Sequence, residues 1–405
     1  MKILLVNKFY YQRGGAETYI LEIEKKLLSL GHEVAIFSMH HPKNIETSWS
    51  KYFISRVSFN EGGMMQRLVG AARVLYSFEA KKKFQDILKD FKPDIIHLHN
   101  IYHQISPSIL PVAKKLGIPV VMHLHDYKLI CPNYQLFDGK RICYDCLAPH
   151  YWKCFFKKCF GNSYLKSFLV SLESFFHHSV LKIYEKNISL YIAPSKFMKE
   201  LSIKAGVPTE KIITLYNFTL SQSLINSLPK NYLLYVGRLS SEKGLLTLLE
   251  AAKIDSDIHI KIVGSGTQAN ILQKMITENK LESQIELTGQ KDKQEVMYLL
   301  KEARAVIIPS VWLENMPFAL LEAMSAGKVV IAANIGGLPE LITNGVNGFI
   351  FTSGDSNDLV KKIKLLKITD LTVMGQKAQA KVAPLNLDTH TQDLLNIYKR
   401  LLASK

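Results

Sequence analysis

The fold of this 405-residue chain is decided at residues 232–250, whose sequence is YLLYVGRLSSEKGLLTLLE. An apolar run typical of a buried strand leads into a polar loop bounded by Gly237 and Gly244, and an apolar stretch of helical length follows. A strand, a short glycine-containing loop and a helix make up the repeating unit of a parallel α/β sheet. The stretch therefore predicts an α/β fold for this part of the chain.

The same alternation recurs on both sides of this stretch. Downstream, strand-like segments occupy 258–263, 284–288, 305–308, 328–333 and 347–351. Upstream, a first series occupies 2–7, 33–38, 94–99, 118–124 and 189–193, with amphipathic helical stretches at 16–30 and 106–116. A polar, serine-rich segment from Thr219 to Lys230 separates the two series and indicates a linker. The pattern predicts two doubly wound, Rossmann-like domains in tandem.

A chain of 405 residues also exceeds what one hydrophobic core usually supports. We expect domains at 1–217 and 218–385, a cysteine-rich insert at about 131–161, and a C-terminal helix at 386–405 that packs back on the first domain. Ligands of doubly wound sheets bind beyond the carboxyl ends of the strands. The active site is therefore expected in a central cleft between the domains.

Positive charge is concentrated in the first half of the chain. The net charge is +16, and residues 1–217 hold 30 basic and 17 acidic side chains against 21 and 18 in the remainder. Such an excess suggests an anionic partner, either nucleic acid, an anionic lipid surface or a phosphorylated acceptor, although a generally lysine-rich proteome would give the same excess. No run approaches the roughly 18 apolar residues of a membrane helix, so a soluble or peripheral protein is expected.

Two loops combine glycine with positive charge or with a helix start. Gly14 and Gly15 follow the first strand and precede a helix, which suits a diphosphate but equally an ordinary tight turn. After the strand at 232–236, Arg238 and Lys243 place two cations at a strand end beside a helix start. Two such cations suit a phosphate pair and can stabilise the charge of a departing nucleoside diphosphate; the alternative is a solvated loop.

Two carboxylates follow a later strand in the same half. Glu314 lies in the loop Pro309–Phe318, and Glu322 lies on the helix that this loop precedes. A carboxylate accepts several hydrogen bonds, so this pair can hold hydroxyls on two sugars of one ligand. The backbone amides of 315–318 would stand at the helix N-terminus.

These residues resemble the retaining glycosyltransferases of family 4, which have the GT-B fold. The most specific mark is Pro-Ser-x-x-x-Glu-x-x-Pro-Phe-x-x-x-Glu-Ala-Met at 309–324. Further matching segments are Gly237-Arg238, Glu242-Lys243-Gly244, Val263–Gly266, Gly336–Glu340 and Asn347-Gly348-Phe349. The resemblance spans essentially the whole chain. It implies an acceptor-binding first domain and a second domain that binds a nucleotide sugar.

The resemblance also implies roles for single residues. Glu314 would contact hydroxyls of the donor sugar and Glu322 the ribose, while Arg238 and Lys243 would contact the diphosphate. His125 would reach the transferred sugar, with His123 as the competing choice and a structural histidine as the alternative. The remaining donor-binding positions are Gly15, Gly264, Gly289, Gln290, Asn315, Met316, Pro317 and Phe318. His97 and His99, which alternate in a strand, would face one way and line the acceptor side or the core.

The implied reaction retains the anomeric configuration and needs no enzymic nucleophile, because the leaving phosphate can take the acceptor's proton. No catalytic metal or other cofactor is required, since Arg238 and Lys243 can neutralise the diphosphate. Asp255-Ser256-Asp257 has the Asp-x-Asp pattern of other, metal-dependent glycosyltransferases. It precedes the strand at 258–263 and so falls at the amino end, away from the expected cleft. We interpret it as a turn.

Donor and acceptor are predicted only by class. A UDP-sugar is favoured over a GDP-sugar, and the transferred unit is expected to be a hexose. The expected acceptor is a saccharide or a lipid-linked oligosaccharide in the synthesis of a bacterial surface polysaccharide. Nucleic acid is not expected as a partner. Alternative functions on the same fold are a UDP-sugar 2-epimerase and a non-catalytic nucleotide-sugar-binding protein.

All five cysteines fall within one stretch: Cys131, Cys143, Cys146, Cys154 and Cys159. Grouped thiolates suggest a structural zinc ion, with a redox or iron–sulfur role and reduced, non-ligating thiols as alternatives. Residues 150–160 of the same stretch mix aromatic side chains with lysines, as interfacial segments do, although a packed lid would have the same composition. Together with the basic first half, this mixture favours a cytoplasmic protein that works peripherally on the inner face of the plasma membrane.

Overall fold

The computed structural model of the protein describes residues 1–56, 70, 73–139, 141–147, 150–220 and 230–404. Its contacts divide the chain into two compact units. Unit 1 comprises Met1–Leu136, Cys143–Tyr216 and Asp388–Lys405, and unit 2 comprises Phe137–Ile142 and Asn217–Leu387. Residues 221–229 of the predicted linker and residues 140, 148 and 149 of the cysteine insert lie outside the described residues.

Unit 1 contains a parallel sheet, which has six strands within the described residues. The strands are β1 Lys2–Val6, β2 Glu33–Phe37, β3 Ile95–Leu98, β4 Val120–His123, β5 Leu190–Ala193 and β6 Ile212–Thr214. Their order is β2-β1-β3-β4-β5-β6, with Val6 of β1 paired to Phe37 on one side and to Leu98 on the other. The strand order reverses between β1 and β3, so the carboxyl ends of these two strands flank the ligand-binding crevice typical of such sheets.

Unit 2 repeats the architecture with a second parallel sheet of six described strands. They are β7 Leu233–Val236, β8 Ile260–Val263, β9 Ile285–Gly289, β10 Ala305–Ile308, β11 Val330–Ala333 and β12 Phe349–Phe351. The order is β12-β11-β10-β7-β8-β9, and Val306 of β10 pairs with Leu234 of β7. The order reverses between β7 and β10. The loops that follow these two strands therefore leave the sheet side by side.

Helices connect the strands in both units. Those of unit 1 are α1 Gly15–Ser29, α2 Phe78–Phe91, α3 Leu110–Lys115, α4 Lys153–Phe156, α5 Tyr164–Phe175, α6 Ile183–Asn187 and α7 Lys196–Lys204. The next are α8 Leu245–Ile254, α9 Ala269–Glu278, α10 Lys293–Glu302, α11 Phe318–Ser325, α12 Ser356–Leu365, α13 Leu371–Val382 and α14 Leu387–Ala403. Short 3₁₀ helices lie at Ser48–Tyr52, Pro107–Ile109, Thr209–Lys211, Ser241–Lys243 and Leu338–Glu340, and a π-helix at Phe176–Val180. None of the helices in the described ranges has the length and apolar character of a membrane span.

The predicted fold class is confirmed: both halves are parallel α/β sheets, and each predicted strand is present with its ends shifted by at most two residues. Two details differ. The helix predicted at 106–116 begins as the 3₁₀ turn Pro107–Ile109, because Ser106 caps that turn with its side chain. Strand β6 was not predicted from the sequence, since it is three residues long and only Ile212 of it is buried.

Gly264, which follows β8, is held against a neighbouring loop. It adopts φ +145°, and a Cβ atom there would stand 1.9 Å from the carbonyl oxygen of Gly237. We expect Gly264→Ala to lower the free energy of unfolding of unit 2 by about 3 kcal/mol or more, because backbone must move to admit the methyl group. Urea unfolding measures the change.

Gly345→Ala provides the matched control for this prediction. Gly345 also has a positive φ, +77°, but nothing lies within 4 Å of its would-be Cβ. Only the conformational penalty of about 1–2 kcal/mol should remain there. Equal losses in the two variants would show that the close approach to Gly237 does not matter.

Candidate active site

The loops that carry the predicted cations and carboxylates meet at the strand-order reversal of unit 2. Arg238 and Lys243 follow β7, and Glu314 follows β10, its neighbour in the sheet. Lys243 Nζ donates a hydrogen bond of 2.6 Å to Glu314 Oε1. Two residues 71 positions apart in the chain thus form one ion pair at the edge where ligands of doubly wound sheets bind.

Glu314 is buried, with 5% of its surface exposed. Ser310 Oγ donates a second hydrogen bond of 2.6 Å to the same carboxylate oxygen that accepts from Lys243. Burial by itself raises the pKa of Glu314, but the Lys243 ammonium and the Ser310 hydroxyl outweigh it and hold the pKa below its ordinary value. Glu314 is therefore a charged, oriented acceptor at neutral pH.

Lys243 is fixed from several sides. It ends the 3₁₀ turn Ser241–Lys243, and Gly244 follows in the left-handed region at φ +70°. A Cβ at Gly244 would lie 1.9 Å from the carbonyl oxygen of Pro309, so only glycine lets the two loops approach this closely. The ammonium also lies 5.0 Å from the centroid of the Trp312 ring. The cation is held in place, as a group that binds a phosphate needs to be.

Arg238 differs from Lys243 in its exposure. Its side chain is 68% exposed and its guanidinium lies 3.5 Å from Glu242 Oε1. The hydroxyl of Tyr235 donates a 2.8 Å hydrogen bond to the backbone carbonyl of Arg238, which orients the loop. An exposed guanidinium with one weak partner retains donors for an incoming anion.

Glu322 lies on α11, the helix that follows the Glu314 loop, and is half-buried. Within the described residues its carboxylate forms no hydrogen bond or ion pair. Burial raises the pKa of Glu322, and the charge of Lys293 opposes this shift only in part. A half-buried carboxylate without a protein partner is costly to maintain, which favours a ligand-binding role over a structural one.

The predicted donor-binding segment at 315–318 precedes α11. Asn217 Nδ2 donates a 2.8 Å hydrogen bond to the carbonyl of Met316, and the Phe318 ring packs edge-on against Phe218 at 5.5 Å. Pro317 is the N-terminal cap of the helix, whose first turn leaves backbone amides without intrahelical partners. Asn315 lies in the loop beside them.

The other predicted donor-binding residues of unit 2 lie at the ends of β8 and β9. The amide of Gly264 donates a 2.9 Å hydrogen bond to the carbonyl of Gly289, and Ser265 Oγ lies 3.2 Å from Gln290 Oε1. Gly336, on another loop, meets the Glu314 segment, because a Cβ there would stand 2.1 Å from the Glu314 carbonyl. The structure thus brings loops after β7, β8, β9, β10 and β11 to the same edge of the sheet.

In unit 1, Gly15 is the first residue of α1, one position before the predicted start of this helix, and Gly14 is its cap. His125 follows β4 and is half-buried, whereas His123 lies inside β4 with 1% exposure. Of the two candidate histidines, only His125 therefore has surface that a ligand could contact. Burial lowers the pKa of His125 to about 3, so its ring is neutral at neutral pH.

His125 is part of a larger group that we call the histidine cluster. Five imidazoles surround the buried ring of Tyr19: His97, His99, His123, His125 and His390. Their hydrogen bonds join His99 Nδ1 to His125 Nε2 at 2.8 Å, Tyr19 to His390 Nε2 at 2.7 Å, and Tyr398 to His97 Nδ1 at 2.7 Å. His97 and His99 are both fully buried, which places them in the core rather than on a surface.

Three charged residues of unit 1 were missed by the sequence analysis. Lys8 follows β1, Asp126 follows β4 and Glu17 lies in the first turn of α1. Burial lowers the pKa of Lys8, and the carboxylates of Asp126 and Glu17 oppose this shift. Both carboxylates therefore lie close to the Lys8 side chain. The positions of Lys8 and Asp126 just beyond strand ends are the signal that could have identified these two residues.

The cysteine insert brings its thiols into one neighbourhood without forming a ligand set. Cys146 and Cys154 are buried with Val170, and Cys159 packs against them. Burial raises the pKa of Cys131 to about 11, so this thiol is protonated. In the ranges that the structure describes, no three His, Cys, Asp or Glu side chains are placed to hold a metal ion. The structural zinc ion predicted from the grouping of the cysteines therefore has no set of three ligands among the described residues.

The Asp-x-Asp segment lies where the sequence predicts a turn. Asp255 caps the end of α8, before β8 begins at Ile260, at the amino end of that strand. Asp257 pairs with Lys367 at 2.9 Å and Asp255 with Lys364 at 3.6 Å. Both carboxylates are thus engaged in surface ion pairs, away from the Glu314 edge.

Comparison with known proteins agrees with this architecture. Residues 13–219 match the family model described as Glycosyltransferase Family 4, and residues 218–380 match that described as Glycosyl transferases group 1. A 42.6 kDa protein in the cps region of Klebsiella pneumoniae is 28% identical over 98% of this chain and 100% of that protein. The UDP-Gal:alpha-D-GlcNAc-diphosphoundecaprenol alpha-1,3-galactosyltransferase of Escherichia coli is 28% identical over 79% of this chain and 78% of its own length.

Among solved structures, Anabaena Alr3699/HepE in complex with UDP is similar with a TM-score of 0.69 and 20% identity, over 99% of this chain and 100% of that chain. At this level of identity the likeness shows the shared fold, two Rossmann-like domains of the GT-B type.

Proposed function

This chain belongs to glycosyltransferase family 4, and we propose that it moves a hexose from a nucleotide diphosphate sugar to a saccharide or lipid-linked acceptor, with retention at the anomeric carbon. The observation that carries the proposal is the Lys243–Glu314 pair at the strand-order reversal of unit 2. A fixed cation and a fixed carboxylate side by side suit a ligand that has a diphosphate next to a sugar.

The proposed donor contacts follow from the chemistry of each side chain. Lys243 and Arg238 bind the diphosphate, Glu314 accepts hydrogen bonds from sugar hydroxyls, and Glu322 accepts those of the ribose. The amides of 315–318 contact the sugar, and the backbone at 289–290 contacts the base. In unit 1, His125 contacts the transferred sugar and Gly15 the diphosphate or the acceptor.

In the proposed reaction the bond between the anomeric carbon and the phosphate oxygen breaks, and an acceptor oxygen bonds to the same face of that carbon. The acceptor's proton passes to the leaving phosphate, so no enzymic nucleophile or cofactor is needed. Arg238 and Lys243 stabilise the charge that develops on the diphosphate. Unit 1 has charged groups that can position an acceptor hydroxyl. The ammonium of Lys8 is a hydrogen-bond donor, and the carboxylates of Glu17 and Asp126 are acceptors.

The proposed donor nucleotide is UDP rather than GDP. Support comes from the Escherichia coli relative, whose name gives UDP-Gal as its donor, and from the UDP complex of the similar Anabaena protein. The acceptor of the former is linked to diphosphoundecaprenol. By analogy we propose a lipid-linked acceptor in polysaccharide biosynthesis, and hence work in the cytoplasm at the inner face of the plasma membrane.

A thermal-shift screen against nucleotide sugars tests the donor proposal. A ligand at a hundred times its dissociation constant stabilises the native state by about 2.7 kcal/mol. We expect UDP-sugars to raise the melting temperature clearly and GDP-sugars to leave it unchanged. NMR of the product formed with the best donor should then show the donor's anomeric configuration. An inverted product, or conversion of the donor to a 2-epimer without acceptor, would contradict the proposal.

A structural zinc ion in the cysteine insert is a separate hypothesis. Its support is the grouping of all five cysteines between positions 131 and 159 of the sequence. Metal analysis of protein purified without chelator decides the matter: stoichiometric zinc would support the hypothesis, and a metal-free, fully active sample would contradict it.

A further inference from the structure

Helix α5, which directly follows the cysteine insert, has the reverse of the usual amphipathic pattern. Its buried residues are mostly polar: Ser167, Ser171, Glu173 and Ser174, with Val170 as the apolar member. Its exposed positions include Tyr164 at 55%, Leu165 at 78% and Phe168 at 41% exposure. A helix of a soluble protein normally turns its apolar residues toward the core. Here the larger apolar side chains face outward.

Helix α4 adds to the same exposed surface. Phe156 is 72% exposed, and the ring of its neighbour Phe155 lies 5.6 Å from Tyr164 and 5.8 Å from Phe168. Phe155 therefore joins the two helices at this surface. We call the exposed group Phe156, Tyr164, Leu165 and Phe168 the insert face.

The insert face stands on a packed base. Cys154 of α4 and Val170 of α5 are buried together with Cys146, and Cys159 and Phe160 pack against them. The amide of Phe160 also donates a 3.0 Å hydrogen bond to Ser167 Oγ, one of the buried serines of α5. The apolar side chains are thus held outward by the fold rather than placed there by a loose segment.

The charge around the insert face has one sign. Residues 146–172 contain four lysines and no aspartate or glutamate. Lys157 pairs with Asp145, whereas Lys153, Lys158 and Lys166 form no ion pair within the described residues. Lys158 Nζ lies 4.2 Å from the centroid of the Tyr164 ring, so this cation adjoins the apolar group directly.

We propose that the insert face binds the surface of an anionic lipid bilayer. Aromatic and aliphatic side chains can enter the headgroup region while the lysines contact lipid phosphates, and each basic residue near an anionic surface contributes about 1 kcal/mol. A protein partner would be expected to meet the lysines with carboxylates on a complementary surface. A second copy of this face cannot supply them, because it has no acidic residue.

This inference deepens the proposed function by naming the surface through which the enzyme would reach a lipid-linked acceptor. Vesicle binding itself requires no sugar donor. The two proposals can therefore fail separately: loss of vesicle binding with an intact UDP-sugar thermal shift would affect only the insert face.

The test is co-flotation of the full-length protein with vesicles of phosphatidylcholine, with and without phosphatidylglycerol. We expect binding to the anionic vesicles and its release at high salt. The double variant Phe156→Ser/Leu165→Ser should partition about tenfold more weakly. The triple variant Lys153→Gln/Lys158→Gln/Lys166→Gln should partition about a hundredfold more weakly, as three contributions of about 1 kcal/mol imply.

Matched variants elsewhere control for a general loss of surface hydrophobicity or charge. Phe78 and Ile368 are 77% and 82% exposed, so Phe78→Ser/Ile368→Ser removes similar apolar surface. Lys361, Lys377 and Lys381 are exposed, so their replacement by glutamine removes the same charge. Both control variants should bind the anionic vesicles as the unaltered protein does.

Three results would overturn the proposal. The first is equal vesicle binding by the face variants and the unaltered protein. The second is no binding to anionic vesicles at low salt. The third is self-association, measured by analytical ultracentrifugation, that Phe156→Ser/Leu165→Ser abolishes, because this would assign the face to a protein contact.

Discussion

Glu314→Gln is expected to lower kcat/KM for the nucleotide sugar by about 10²–10³-fold, with little loss of affinity for UDP alone. The change keeps the shape of the side chain but removes the charge that fixes Lys243 at 2.6 Å. In the proposed complex Glu314 contacts sugar hydroxyls whose position matters most as the glycosidic bond breaks. Loss of one preorganised group of this kind typically has an effect of this size. Steady-state kinetics and UDP thermal shifts measure the two quantities.

Two comparisons sharpen this prediction. Glu282→Gln makes the same chemical change at an exposed residue of unit 2 and should leave kcat/KM unchanged. Lys243→Met should also be severely impaired, and combining it with Glu314→Gln should cost less than the sum of the two single effects, since the side chains act as one hydrogen-bonded pair. Activity of Glu314→Gln within a few-fold of the unaltered enzyme would contradict the proposed role.

Acidification to about pH 5 is expected to unfold unit 1 through its histidine cluster. Burial lowers the pKa of His97 and His125 to about 3 and that of His390 to about 4. The pKa values of His99 and His123 are also lowered by burial, against about 6.5 in an unfolded chain. Below pH 6.5 the unfolded state therefore binds more protons than the native state, so the free energy of unfolding falls as pH falls.

The size of this effect follows from the number of groups. His97, His125 and His390 each contribute a loss of about 2 kcal/mol at pH 5, about 6 kcal/mol together, which is comparable with the whole stability of a domain. His99 and His123 add to the loss in the same direction. Burial raises the pKa of Asp126 and of Glu17, and these carboxyl groups offset part of the loss because the native state takes up their protons first. Melting temperatures measured from pH 8 to pH 4.5 should fall steeply below pH 6.5.

His123→Leu tests the assignment of the acid transition. Neither ring nitrogen of His123 has a hydrogen-bond partner within the described residues, so an apolar side chain of similar size should be tolerated at neutral pH. The free energy of unfolding of the variant should fall less steeply between pH 6.5 and pH 5, by the contribution of about one proton. His259→Gln, at an exposed position of unit 2, should leave the profile unchanged. A stability of unit 1 that is independent of pH between 6.5 and 5 would refute the prediction.

The strands and the fold class could be predicted from the sequence because each buried strand is a short apolar run ended by glycine or polar residues. The contact between Lys243 and Glu314 could not be derived in the same way. It depends on β10 lying beside β7 in the sheet. Strands β8 and β9 come between these two along the chain, so the order of the sequence does not show that they are neighbours. The family motif named both residues, but the sheet explains why they meet.

The histidine cluster shows the same limit. The alternation of His97 with His99 is visible in the sequence and predicts one shared side for this pair. The sequence does not show that His97, His99, His123 and His125 all lie around Tyr19 together with His390. This arrangement depends on long-range contacts, since Tyr19 and His390 are 371 positions apart.

The C-terminal helix has a consequence for how the chain folds as it is synthesised. Residues 388–405 belong to unit 1, where His390 and Tyr398 hydrogen-bond to Tyr19 and His97. The ribosome therefore releases all of residues 217–387 before the first sheet can receive its last core residues. Unit 2 can complete its fold while unit 1, although started first, waits with an unfinished core. We expect unit 1 to be the part that relies on chaperones during translation.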